Sequence, residues 1–152
     1  MDIDAEAHLL VASALEPVRY RVYPETPLVE VLDLMVRREV KALPVVGENF
    51  EVLGIITSGD ALDQVLRDLP VDEGGEATTA ALAARDVMTR SVLCVAETQA
   101  LVDAARMMVN RKVEQLPVVR EGELIGLITR DAILRALHPG SSQTDDEPEQ
   151  DS

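Results

Sequence analysis

A chain of 152 residues with 47% hydrophobic composition can bury a core without disulfide or metal staples, since a fold of this size removes roughly 70% of its unfolded surface from water. Tyr20, Tyr23 and Phe50 are the only aromatic residues, so that core must be aliphatic, and base-stacking platforms for single-stranded nucleic acid are excluded. The net charge of −14 is local: 13 of the 28 acids lie in residues 1–16, 68–84 and 139–152, where no Lys or Arg occurs, so the near-neutral body argues against DNA or an anionic membrane as partner and leaves a small phosphorylated ligand open.

In chain order, residues 3–15 predict an N-terminal helix and residues 19–23 a short β-prone piece. Thr26 is placed to cap a helix with Pro27 at its first position. Leu28, Val31, Leu32, Met35 and Val36 then follow the i, i+3, i+4, i+7, i+8 spacing of one buried stripe. Residues 43–46 and 52–57 predict two strands joined by the turn Gly47-Glu-Asn-Phe50. A helix follows, with Ala61, Leu62, Val65, Leu66 and Leu69 apolar. Asp72-Glu-Gly-Gly75 through Thr79 punctuates the chain as a linker. The order then returns. Residues 92–95 are β-prone, Thr98 is placed as a cap, and Leu101, Ala104, Ala105, Met108 and Val109 repeat the stripe. Strands over 116–120 and 124–129 flank Glu121-Gly122, and a last helix carries Ile133, Leu134 and Leu137. Residues 139–152 hold five acids and almost nothing to bury, which predicts a disordered tail.

The return is an internal repeat. Residues 22–46 laid on 95–119, a shift of 73, give 11 identities in 25 positions and close on Leu43-Pro-Val-Val against Leu116-Pro-Val-Val. One residue is lost in the following turn, after which Gly54-Ile-Ile-Thr57 lies on Gly126-Leu-Ile-Thr129. Each half is thus β-α-β-β-α. This order, the Leu-Pro-Val-Val strand, the Gly-Ile-Ile-Thr-x-x-Asp segment and the Asp86-Val-Met-Thr89 lead-in resemble the CBS (cystathionine-β-synthase-type) domain family. The resemblance covers residues 18–69 and 84–137. It implies an α/β (α+β) fold of two repeats whose small sheets pack about a pseudo-twofold axis, with an N-terminal helix added. The expected organisation is residues 1–70 for the N-terminal helix and first repeat, 71–83 for the linker, 84–138 for the second repeat and 139–152 for the tail.

Catalysis finds little material. His8 and His138 lie near opposite ends, with no Cys or His at metal-ligand spacing. Cys94, the single cysteine, sits in a predicted strand as an inert residue; alone it can form no intrachain disulfide, which fits a reducing cytosol. There is no nucleophile elbow, Walker loop or dinucleotide-binding glycine motif. No enzyme, cofactor or metal site is therefore expected. The acidic start and the lack of a long apolar run predict a cytoplasmic protein with no membrane partner.

Binding has better candidates. Gly54-Ile-Ile-Thr57-Ser58-Gly59-Asp60 ends a strand and opens a helix, whose free N–H groups and partial positive charge suit a phosphate. The hydroxyls of Thr57 and Ser58 can add hydrogen bonds, and Asp60 can accept from two vicinal hydroxyls such as those of a ribose. The alternative is plain capping by Thr57 or Ser58, with Asp60 favouring the helix dipole. The resemblance assigns this Thr and Asp to the phosphate and ribose of an adenosyl ligand, and the segments before each Leu-Pro to the base pocket. That implicates Ala42 and Pro44 in the first copy and Gln115, Pro117, Thr129 and Arg130 in the second. Aligned without a gap, Asp60 falls on Ala132, so the two sites are expected to be unequal.

Together these readings predict a regulatory sensor binding AMP, ADP, ATP or S-adenosylmethionine in a cleft between the repeats. The resemblance also implies a homodimer, and with no effector domain expected, the output would go through a separate effector protein or the protein's own oligomer. Two rivals stand beside it: a structural association module that binds no nucleotide, and an enzyme assembled from residues read above as structural.

Overall fold

The computed structural model describes residues 8–69 and 78–138. The tail expected at 139–152 and the linker over 71–77 lie outside the described residues. So do residues 1–7 of the N-terminal helix. In chain order the elements are a 3-10 turn at Val11–Ala14, α1 (Leu28–Arg38), β1 (Ala42–Val46), β2 (Val52–Thr57) and α2 (Ser58–Asp68). A second 3-10 turn at Thr78–Ala81 leads to α3 (Ala84–Val87), β3 (Val95–Ala96), α4 (Leu101–Arg111), β4 (Gln115–Arg120), β5 (Glu123–Thr129) and α5 (Arg130–Leu137).

The apolar spacing produces α1 and α4, but the stripe is narrower than the sequence suggests. Leu28, Val31 and Met35 are buried, as are Leu101, Ala104 and Met108, whereas Val36 is 77% and Val109 74% exposed. A residue eight positions on is rotated by roughly 80° from the first, which carries both valines off the buried face. Both helices stop on a left-handed residue, Glu39 (φ 55°) and Lys112 (φ 58°), whose N–H groups donate to Met35 and Met108 carbonyls.

The chain divides into two compact units. One comprises Arg19–Val92 with Gly122–Leu124; the other comprises Leu93–Glu121, Ile125 onward and the described residues up to Val18. In the first, β1 and β2 pair antiparallel with Ala42 opposite Thr57, and a bulge falls between Val45 and Val46. The strand expected at 19–23 is reduced to a single parallel bridge between Val22 and Val45. In the second, the sheet order is β3-β4-β5, with Val95 parallel to Val118. Each unit has its own core: Leu28, Val31, Leu43, Val45, Ile56 and Ala84 in one, and Val11, Val95, Leu101, Leu116, Val118 and Ile128 in the other.

The units cross the segment boundaries expected from sequence. Residues up to Val18 lie in the unit that holds α4, β4, α5 and most of β5, and residues 84–92, expected to open the second repeat, lie in the unit that holds α1, β1, β2 and α2. Backbone hydrogen bonding is the cause. The Leu28 N–H donates to Leu82 O and Ala84 N–H to Thr26 O, so the start of α1 is satisfied by residues 82–84. The same bonds recur 73 positions apart: Leu101 N–H to Leu9 O and Val11 N–H to Gln99 O. The expected caps are therefore unused. Pro27 and Ala100 hold the N-cap positions without side-chain bonds, and the Thr26 hydroxyl instead accepts the Tyr23 N–H at 2.9 Å. Of the helix expected at 3–15, the described residues form only the four-residue 3-10 turn.

Candidate functional site

Strand β2 runs straight into α2, and the junction is a complete capping box. The Thr57 hydroxyl accepts the Asp60 N–H at 3.1 Å, and Asp60 Oδ2 accepts the Thr57 N–H at 3.0 Å, two orphan donors satisfied reciprocally. The Ser58 N–H goes to the Lys41 carbonyl at 2.8 Å, which ties the helix start to the segment before β1. These bonds consume donors that the sequence leaves open to phosphate. Of the first helical turn, the Gly59 N–H is the one that remains for a ligand among the described residues.

Asp60 keeps capacity beyond the cap. Both its backbone bond and the longer contact from the Thr89 hydroxyl, at 3.4 Å, fall on Oδ2. Oδ1 accepts nothing among the described residues, and a carboxylate oxygen can take two bonds. Ala42 faces Thr57 across the β1–β2 pair, so Ala42, Thr57, Ser58 and Asp60 stand together at one end of the sheet. Pro44 is two residues further along β1, buried opposite Ile55, with its carbonyl accepting the Val22 N–H. Thr89 is absent from the sequence-level site: it comes 29 residues after Asp60 and is brought there by its paired backbone bonds with Ile55.

The second copy reproduces the scaffold and changes the side chains. Thr129 caps α5 by accepting the Ala132 N–H at 3.1 Å, and the Arg130 N–H donates to the Glu114 carbonyl. These are the bonds of Thr57, Asp60, Ser58 and Lys41 in register, so the gap-free pairing of Asp60 with Ala132 is the structural one. Ala132 has no carboxylate, and the capping box is half made. The donor equivalent to Gly59 belongs to Asp131, whose own carboxylate opposes a phosphate there. The Arg130 side chain is folded back, its Nε donating to the Val113 carbonyl at 3.2 Å. Gln115 opens β4, and Pro117 is buried within it.

Outside these two helix starts the chemistry is sparse. Cys94 is half-buried, and burial pushes its thiol above the ordinary range, the opposite of an activated nucleophile. Among the described residues no three His, Cys, Asp or Glu side chains gather as metal ligands, and no helix is long and apolar enough to cross a membrane. A cavity of about 470 Å³ in the first unit is lined by Arg21, Tyr23, Thr26, Asp33, Arg37 and Arg38, among others, and by none of the expected site residues.

The sequence pattern of the CBS domain family matches residues 16–67 and 84–139. The chain belongs to that family. The uncharacterized protein MJ1426 of Methanocaldococcus jannaschii is 29% identical over 162 residues, covering 90% of this chain and 95% of its own length. The chloroplastic CBS domain-containing protein CBSX2 of Arabidopsis thaliana is 32% identical over 135 residues, which covers 76% of this chain but 57% of the relative. A crystal structure of CBSX2 in complex with AMP superposes with a TM-score of 0.72 at 29% identity, over 88% of this chain and 98% of that one. The mixed α/β fold with two repeats and small sheets is therefore that of CBS-pair proteins.

Proposed function

We propose that this chain is a cytoplasmic regulatory module without catalytic activity of its own, and that it binds an adenosine-containing ligand, AMP foremost, at the start of α2. Asp60 carries the reading: its capping duty occupies Oδ2 alone, and Oδ1 is left to accept a ribose hydroxyl beside Thr57, Ser58 and the Gly59 N–H. The structure of CBSX2 with AMP, at 29% identity, supports an adenine nucleotide as ligand. ADP, ATP and S-adenosylmethionine share the adenosine moiety and belong in the same screen. The site residues proposed are Thr57, Ser58, Asp60, Ala42 and Pro44 in the first copy, and Gln115, Pro117, Thr129 and Arg130 in a weaker second. Regulation would follow from binding one state of the protein or its dimer more tightly than another, since only differential affinity shifts a population. The output would pass to a separate effector protein.

Calorimetry with AMP on the wild type should show one tight class, with any second class weak. Asp60→Ala should weaken the tight class roughly ten- to hundredfold, the cost of a lost charge-assisted pair of hydrogen bonds of about 1.5–3 kcal/mol. Stability should fall by only about 1 kcal/mol, because the cap loses one acceptor. Undiminished affinity in Asp60→Ala would remove the assignment. One observation favours a second reading: Thr57 and Asp60 already satisfy each other in the capping box, as a ligand-free association module requires. A thermal shift that stays flat with AMP, ATP and S-adenosylmethionine would select that module.

A further inference from the structure

The second helix start has lost its carboxylate at Ala132, and another segment brings an acid to the same helix, where Glu16 pairs with Arg135. Thr89 lies over Asp60 because its backbone exchanges both hydrogen bonds with Ile55. In the other unit Glu16 exchanges the same two bonds with Leu127, the counterpart of Ile55. Glu16 is therefore to Ala132 what Thr89 is to Asp60. Its side chain is placed by an ion pair, Arg135 Nη2 to Glu16 Oε2 at 3.5 Å. Arg135 stands three residues after Ala132 on α5, and residues at that spacing share a helix face. A polar residue of the lead-in thus accompanies each helix, a threonine bonded to Asp60 in one copy and a glutamate paired with Arg135 in the other. The Glu16 carboxylate is partly exposed, and its Oε1 accepts nothing among the described residues.

Building on the adenosyl reading above, we propose that Glu16 is the ribose-accepting residue of the second site, with Arg135 holding it over α5. A glutamate is one methylene longer than an aspartate, and it approaches from the segment facing the helix. With one oxygen held by Arg135, it still has a free oxygen to offer a vicinal diol. The second site is then a distinct receptor for the same sugar, with its acceptor on a different part of the chain.

The test isolates that site in full-length Asp60→Ala protein and compares AMP with 2′-deoxy-AMP by calorimetry. AMP should bind weakly but measurably and be preferred over the deoxy ligand by roughly tenfold. Adding Glu16→Gln, nearly isosteric, should abolish that preference and lower AMP affinity by a similar factor. Arg135→Gln should lower affinity while keeping a preference for the diol, as befits a positioning residue. If Glu16 is only a structural ion-pair partner, Glu16→Gln and Arg135→Gln will shift the melting temperature alike and leave sugar discrimination untouched, which overturns the proposal. Asp60→Ala protein that binds no AMP, although the wild type does, overturns it too and leaves the first site standing. A wild type that binds neither AMP nor S-adenosylmethionine removes both readings.

Discussion

Gly54 and Gly126 show how closely the lead-in segments approach each sheet. A Cβ on Gly54 would lie 2.9 Å from the Thr89 carbonyl and inside contact distance of the Met88 side chain; one on Gly126 would lie 2.8 Å from the Glu16 carbonyl. Backbone atoms cannot yield as a side-chain tip can, so Gly54→Ala and Gly126→Ala should each cost about 1–3 kcal/mol and displace Thr89 or Glu16 from its helix start. Urea denaturation measures the first effect, and AMP affinity in Gly54→Ala the second. Full stability in both variants would mean that the strands slide apart at no cost. The Glu97–Arg120 pair makes a pH-dependent contribution with a definite sign. The hydrogen bonds and charge of Arg120, one at 2.9 Å, hold the Glu97 carboxyl below its ordinary range. A carboxyl depressed in the fold stabilises it above the unfolded value near about 4.3, and that contribution is lost as pH falls through the lower folded value. The melting temperatures of wild type and Arg120→Ala should therefore differ at about pH 7 and converge once pH has fallen below the depressed folded value; a constant gap would refute the linkage. Thr57, Asp60 and Thr129 are legible as helix starts because capping residues sit where a strand pattern gives way to a helical one. Thr89 and Glu16 are not, because each reaches its helix only through strand pairing between distant segments.

At the scale of elements, both helix-strand-strand-helix runs follow from periodicity, and their strands begin within a residue of expectation. What sequence could not reveal is the crossing of the lead-ins. Residues 9–16 and 82–89 make the same bonds 73 positions apart, yet only Leu9 and Leu82 are identical across the eight positions. Backbone hydrogen bonds and two buried aliphatic residues per segment, Val11 and Ala14 or Ala83 and Ala84, ask little of side-chain identity, so the repeat leaves almost no trace there. The crossing has a measurable consequence. A fragment of residues 1–70 carries Val11 and Ala14 without the core they enter, and lacks Ala84 and the Leu82 carbonyl that completes α1. A fragment of residues 19–92 holds a repeat with its true lead-in. It should unfold more cooperatively and at higher temperature than 1–70 in circular dichroism melts. Equal behaviour of the two fragments would show that the lead-ins contribute nothing to either core.

For the whole molecule, the apolar residues left exposed by each unit argue for a second copy of the chain. Helix α2 buries only Ala61, while Leu62 is 59%, Leu66 57% and Leu69 54% exposed. Val36 and Val109 are more exposed still, and Leu134 on α5 joins them. Leu34 and Met107, by contrast, are partly covered within their own units. Leucines three and four apart on a helix present one continuous face, and full burial of each is worth about 1.5–3 kcal/mol. A helix that withholds this much apolar surface from its own core is shaped for a partner, and an identical helix supplies a matching one. We therefore expect a homodimer that uses α2, with a melting temperature that rises with protein concentration because only the folded state associates. Light scattering at micromolar concentration should return twice the chain mass for the wild type. Leu62→Glu combined with Leu66→Glu should return the monomer, with helix content kept because both positions face away from the core. A wild-type mass near 16.5 kDa would end the dimer proposal and leave the α2 face for a partner of another kind.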